Sequence, residues 1–172
     1  MIIETSTLDG WTKARKTKPI LARPIDTLIN DANVASKLLL TTLEVEQALQ
    51  TGALVCIGAA NDAWQQTEKA LLKKYNLTSF QSGWMIMTPK PENEALAVEI
   101  TADFCDPEGK FQIHGKWGQK TEDGKFIQSG VAGDYILHNP DDPADYWIVN
   151  RRMFDNTYEI VVAARGSAPV AA

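Results

Sequence analysis

Trp64 and Trp147 each follow an aspartate by two residues (Asp62 and Asp145), and each precedes a basic residue by five (Lys69 and Arg152). Indole faces can stack on a planar ligand such as a nucleobase. A core position is the plainer use of a tryptophan, and the sequence leaves both uses open. Arg152 is doubled by Arg151, and guanidinium groups clamp phosphates and carboxylates in bidentate fashion. The alternative is a pair of solvated arginines on an amphipathic turn. Asp134 follows Gly133, where it can present a carboxylate to a ligand or bind the turn amides that start a strand. The candidate ligand-binding set is therefore Trp64, Lys69, Asp134, Trp147, Arg151 and Arg152.

Other chemistries find less support. His114, His138 and Cys105 lack the spacing of a metal site. Asp141, Asp142 and Asp145 crowd together, but Pro140 and Pro143 make that stretch a rigid turn. A calcium loop's central glycine and closing glutamate are missing. No nucleophile elbow, phosphate loop or dinucleotide fingerprint occurs. No catalytic residue, metal or cofactor is expected.

The candidate residues belong to a stretch written twice. One copy runs from Gly52 through an apolar run to Asp62 and Trp64, then Leu71 and Tyr75. The other runs from Gly133 to Asp145 and Trp147, then Phe154 and Tyr158. Tryptophan to Leu/Phe is seven residues in both, and tryptophan to tyrosine is eleven. Trp11 ahead of Lys18-Pro19 is echoed by Trp84 ahead of Lys90-Pro91. These spacings predict two pseudo-equivalent halves, residues 11–80 and 84–162, inside one compact domain. The chance alternative is an amphipathic pattern met twice.

A net charge of −5 disfavours general nucleic-acid binding, which draws on cation-driven counterion release. The cluster Lys13, Arg15, Lys16 and Lys18 is the exception, and its plain reading is a solvated lead-in to a strand. No apolar run approaches the length of a membrane span, and the N-terminal residues do not read as a signal peptide. Cys56, inside an apolar run, reads as a buried small hydrophobe.

Pro19 and Pro24 bound a strand and predict an edge position, because proline cannot donate to a ladder. Leu43–Gly52 reads as a short helix stopped by glycine. Ala53–Ile57 reads as a buried strand and Thr67–Tyr75 as a helix capped by Thr67. Strands follow at 83–87, 96–101, 110–115, 125–128, 135–137 and 146–149. Asn150 is placed to cap a helical turn, and a last strand covers 157–162. The expected fold is α+β: a bent antiparallel sheet or partly closed barrel with two short helices.

The segment Ala132-Gly133-Asp134-Tyr135-Ile136, with Trp147-Ile148-Val149, Phe154 and Thr157-Tyr158-Glu159 after it, resembles the signature of small phage and prophage proteins of PGDYG type. Arg15-Lys16-Thr17-Lys18-Pro19-Ile20 is similar to the basic lysine–proline strand with which such proteins open. Ala132 replaces the usual proline and Ile136 the second glycine, and the region from about 35 to 125 is additional. The resemblance implies a compact α+β domain, often carried by mobile elements, and transfers no catalytic residue.

The reading from residues and resemblance together is a non-enzymatic accessory protein in the cytoplasm of a bacterial host. It would bind a small anionic molecule or a protein partner in a cleft between the halves, lined by Trp64, Trp147, Lys69 and Arg152. A nucleotide signal of the host would suit such a cleft. The alternatives are a structural or virion-associated interaction protein and an enzyme.

Overall fold

The computed structural model describes residues 1–28, 39–41, 46–116, 118–142 and 144–161. The first half supplies strands β1 (Thr12–Lys16), β2 (Ile20–Pro24), β3 (Leu39–Thr41), β4 (Glu46–Ala48), β5 (Leu54–Ile57), β6 (Ala63–Gln66) and β7 (Tyr75–Gln81). The second supplies β8 (Trp84–Pro89), β9 (Glu94–Glu99), β10 (Lys110–Gly115), β11 (Gln119–Lys120), β12 (Phe126–Val131), β13 (Tyr135–His138), β14 (Tyr146–Val149) and β15 (Tyr158–Ile160). Three helices are described: α1 (Ile25–Leu28), α2 (Glu68–Lys74) and α3 (Arg151–Thr157).

The protein is mixed helix and sheet, mostly antiparallel sheet. Two five-stranded sheets dominate, ordered β6-β5-β2-β8-β7 and β14-β13-β9-β1-β15. A three-stranded sheet β10-β12-β11 and the hairpin β3-β4 accompany them. The expected barrel does not form. The short links β1→β2 and β8→β9 each step from one large sheet to the other, so no ladder runs on around a circle, and β6, β7, β14 and β15 remain edges.

Each large sheet carries one seven-residue helix that leads from an edge strand on one side to the edge strand on the other. Thr67 caps α2 by accepting from Ala70 N–H at 3.2 Å, and Asn150 caps α3 by accepting from Met153 N–H at 2.8 Å. A side-chain oxygen at this position satisfies an amide that has no partner inside the helix. Each helix ends on a tyrosine, Tyr75 or Tyr158, whose N–H bonds back to Leu71 or Phe154. Those two residues are the buried faces of their helices. Leu71 covers Ile20, Ala22, Leu54, Cys56 and Met87, alternate residues of their strands and therefore one face of the first sheet. Phe154 covers Ala14, Ala95, Ala97, Leu137 and Val149 of the second.

The sequence misplaces several elements. β2 is the central strand of its sheet rather than an edge. Its prolines do not obstruct pairing, because Pro19 precedes the strand and the ladder with β8 covers only Ile20–Ala22. Within the expected helix at 43–52, Glu46–Ala48 is a strand paired with Leu39–Thr41, while residues 42–45 lie outside the described residues. The C-terminal strand begins at Tyr158, since Thr157 closes α3, which is longer than the single turn expected. Helices number three among the described residues rather than two, the extra one being the single turn α1 after β2.

Candidate functional site

The two large sheets are joined where the β1→β2 and β8→β9 links step between them. On β1, Ala14 faces the interior of the second sheet and is fully buried. Two residues on, Lys16 points to the same side, at the strand end where the cover of α3 gives out. Its ammonium lies 5.3 Å from the Trp64 ring of the first sheet and 5.6 Å from the Tyr158 ring of the second. A cation over aromatic faces is favourable, more so as water is excluded. Among the described residues Lys16 makes no ion pair with a carboxylate.

The electrostatics of the surrounding groups centre on this residue. Burial pushes the Cys56 thiol up to about 11, opposed by the Gln66 amide and by Lys16. Burial likewise raises the Tyr75 hydroxyl, and the Lys16 charge and a hydrogen bond with it oppose the shift. Tyr158 is raised by burial, opposed by a hydrogen bond with the Trp147 indole and reinforced by the Asp62 charge. Desolvation lowers the Lys74 ammonium; Asp145 opposes this, and the like charge of Lys16 adds to it. Trp64, Trp147, Tyr75, Tyr158 and Lys16 thus form one aromatic and cationic layer between the sheets, with the exposed Lys74 at its margin. Asp62 Oδ1 is buried without a hydrogen-bond partner.

A depression of about 410 Å³ opens beside this layer, over the two crossing links. Arg15, Lys16, Thr17, Lys90 and the carboxylate of Glu159 line it, with Pro89 and Pro91 as its apolar wall. Arg15 pairs with Glu159 across β1 and β15. Lys90 Nζ donates to Leu72 C=O at 2.7 Å, which holds the second link against α2. Four cations therefore converge on one end of an acidic chain: Arg15, Lys16, Lys74 and Lys90.

Among the residues singled out from sequence, Trp64 and Trp147 are brought into this layer. Lys69 and Arg152 are not. Both are exposed in the first turns of α2 and α3, two residues before the buried Leu71 and Phe154 and so on the far side of each helix. Asp134 occupies the structural place that the sequence offered beside the ligand role. It is buried at 7% exposure and accepts from Val131 N–H at 2.9 Å and Arg151 N–H at 3.1 Å, tying the β12–β13 turn to the start of α3. The Arg151 guanidinium is held by Glu99 and Asp155. Among the three aspartates of the 139–145 turn, Asp142 pairs with Lys116 and accepts from Ala144 N–H at 3.2 Å. Both cysteines are free thiols.

Sequence reasoning missed Lys16, Lys74 and Lys90 as site residues. The signal for Lys16 was the basic cluster before β2, which reads as a solvated lead-in until β1 and β2 are known to lie in different sheets. Among the described residues no helix is long and apolar enough to cross a membrane. The chain matches no family model, no curated protein and no solved structure.

Proposed function

We propose that the protein is a non-enzymatic accessory protein that captures a small anionic ligand where its two large sheets cross. One observation carries this reading: the Lys16 ammonium is set between two aromatic rings, without an ion pair among the described residues, at the margin of a depression rich in cations. The volume of about 410 Å³ suits one small molecule. The resemblance to PGDYG-type proteins adds the phage or prophage setting.

The same reading treats the chain as two half-units that have exchanged their first strands. Its support lies in matched registers. Ala22 opposes Cys56 as Ala97 opposes Leu137, and Leu77 opposes Met87 as Ile160 opposes Ala14. Lys90 N–H donates to Lys74 C=O at 2.9 Å, and Thr17 N–H donates to Thr157 C=O at 3.0 Å. Gly52 and Gly133, each opening a hairpin, have φ of 78° and 92°. In that scheme β1 and β8 occupy matched slots in opposite sheets, and the crossing lies on the pseudo-twofold axis.

The test is a thermal melt of the protein with inorganic pyrophosphate at low ionic strength. A ligand bound only by the native state raises the melting temperature progressively with concentration. The expected result is a rise that Lys16→Ala abolishes. An equal rise in Lys16→Ala, or no rise in the native sequence, overturns the reading.

A further inference from the structure

We infer that the anionic ligand is a nucleotide-like molecule, a planar ring bearing a phosphate chain, whose ring takes the place on Trp64 that the Lys16 ammonium holds in the free protein. This rests on the anion-capture reading and names the ligand class of that same site. The inference starts from what differs between matched positions. Aspartate, tryptophan and tyrosine occur in both halves of the inter-sheet layer, as Asp62/Asp145, Trp64/Trp147 and Tyr75/Tyr158. Registers equate Lys16 with Pro89 and Lys74 with Thr157, since Lys16 opposes Tyr158 as Pro89 opposes Tyr75, and Thr17 and Lys90 bond back to Thr157 and Lys74. The framework is common to both halves, whereas both lysines come from the first. The Lys16 ammonium, beside the Trp64 and Tyr158 rings, thus puts a charge on one side of an otherwise balanced layer.

The two tryptophans also differ in what occupies them. The Trp147 indole packs with Tyr158 against the core of the second sheet. Trp64 packs against the core of the first sheet and also carries on its ring the movable end of a four-carbon side chain. A lysine ammonium is a compact, strongly hydrated charge that follows the strongest anion within reach. A phosphate in the depression, beside Arg15 and Lys90, draws Lys16 off the ring. The vacated face is then open to a base, and aromatic stacking is tolerant of which base it is. The walls supplied by Pro89 and Pro91 complete an apolar rim on the ring's path.

Calorimetric titration of the whole chain with inorganic pyrophosphate, ADP and adenosine tests this without any variant. ADP should bind about tenfold or more tighter than pyrophosphate, the contribution of one stacked base, and adenosine far more weakly than ADP. Trp64→Leu should bring ADP down to the pyrophosphate level, and Lys16→Met should weaken ADP and pyrophosphate alike. Equal affinities for ADP and pyrophosphate overturn the ring's role and leave anion capture standing. Adenosine binding as tightly as ADP, or an absence of binding by all three, overturns both. If Trp64→Leu fails to fold, the three-ligand comparison and Lys16→Met still decide the matter.

Discussion

The two five-stranded sheets place bulk in opposite layers. In the first, the strands carry the large residues Ile20 and Met87, and the helix contributes the smaller Leu71. In the second, Ala95 and Ala14 stand at the matching strand positions, and the helix contributes Phe154. Phe154 stacks on Tyr135 at 3.8 Å between ring centroids and on Tyr158 at 5.2 Å. A core needs its total volume filled, but either layer can fill it. The comparison therefore separates what the topology demands, a seven-residue helix with one buried anchor, from what packing leaves free.

The largest expected effect is at that anchor. Phe154→Ala should destabilise the protein by about 3–5 kcal/mol, because the alanine floor beneath it cannot close the cavity. Chemical denaturation followed by fluorescence and circular dichroism should show one transition, since β1 and β8 bind each sheet to the other. A first sheet that survives while the second unfolds would break the idea of a single cooperative unit. The compensating pair Ala95→Ile with Phe154→Leu sharpens the comparison. Together they should cost less than the sum of the two single substitutions, as expected for residues sharing one cavity.

A smaller effect is expected at Asp134, where the first sheet has only Ala53. Asp134→Ala leaves the Val131 and Arg151 amides without their acceptor. The cost should be about 1–3 kcal/mol, the penalty for stranded buried donors. Ligand affinity, measured by the pyrophosphate melt, should stay unchanged in the folded fraction. A loss of binding without a loss of stability would restore Asp134 to the site.

The smallest effect is a difference in acid sensitivity. Asp106 is held below its ordinary value of 3.8 chiefly by the Lys110 N–H, Asp123 by Thr121, and Asp142 by Lys116. A carboxylate whose value falls on folding contributes stability above the ordinary value and loses it as pH drops through the lowered one. All three fasten turns around β10–β14. Amide exchange there should accelerate below about pH 4 before it does in β2 and β5. Equal acceleration in both sheets would remove this distinction between them.

Local features were legible in the sequence. Thr67 and Asn150 announce their helices, the apolar run before Ile57 announces β5, and Asp106-Pro107-Glu108-Gly109 announces a turn. Each depends on neighbours a few residues away. The crossing was not legible, because its partners are remote: Arg15 on β1 finds Glu159 across a sequence separation of 144 residues. No periodicity records which strand lies beside which. The aromatic half of the site was visible as the Asp-x-Trp repeat, but its charges depend on β1 and β2 lying in different sheets. Lys69 and Arg152 looked equivalent to each other and are so, on faces that point away from the crossing.

The strand order also imposes an order on synthesis. β1 leaves the ribosome before the other described strands, yet β9 and β15, which flank it, are made much later, and β15 is the last described strand of the chain. At ordinary rates of elongation it waits roughly 10–30 s for that second neighbour. The first sheet waits far less, because β8, the strand between β2 and β7, is made directly after β7. The first sheet can thus close while β1 is still a strand to spare, and the second is complete only once β15 has been made.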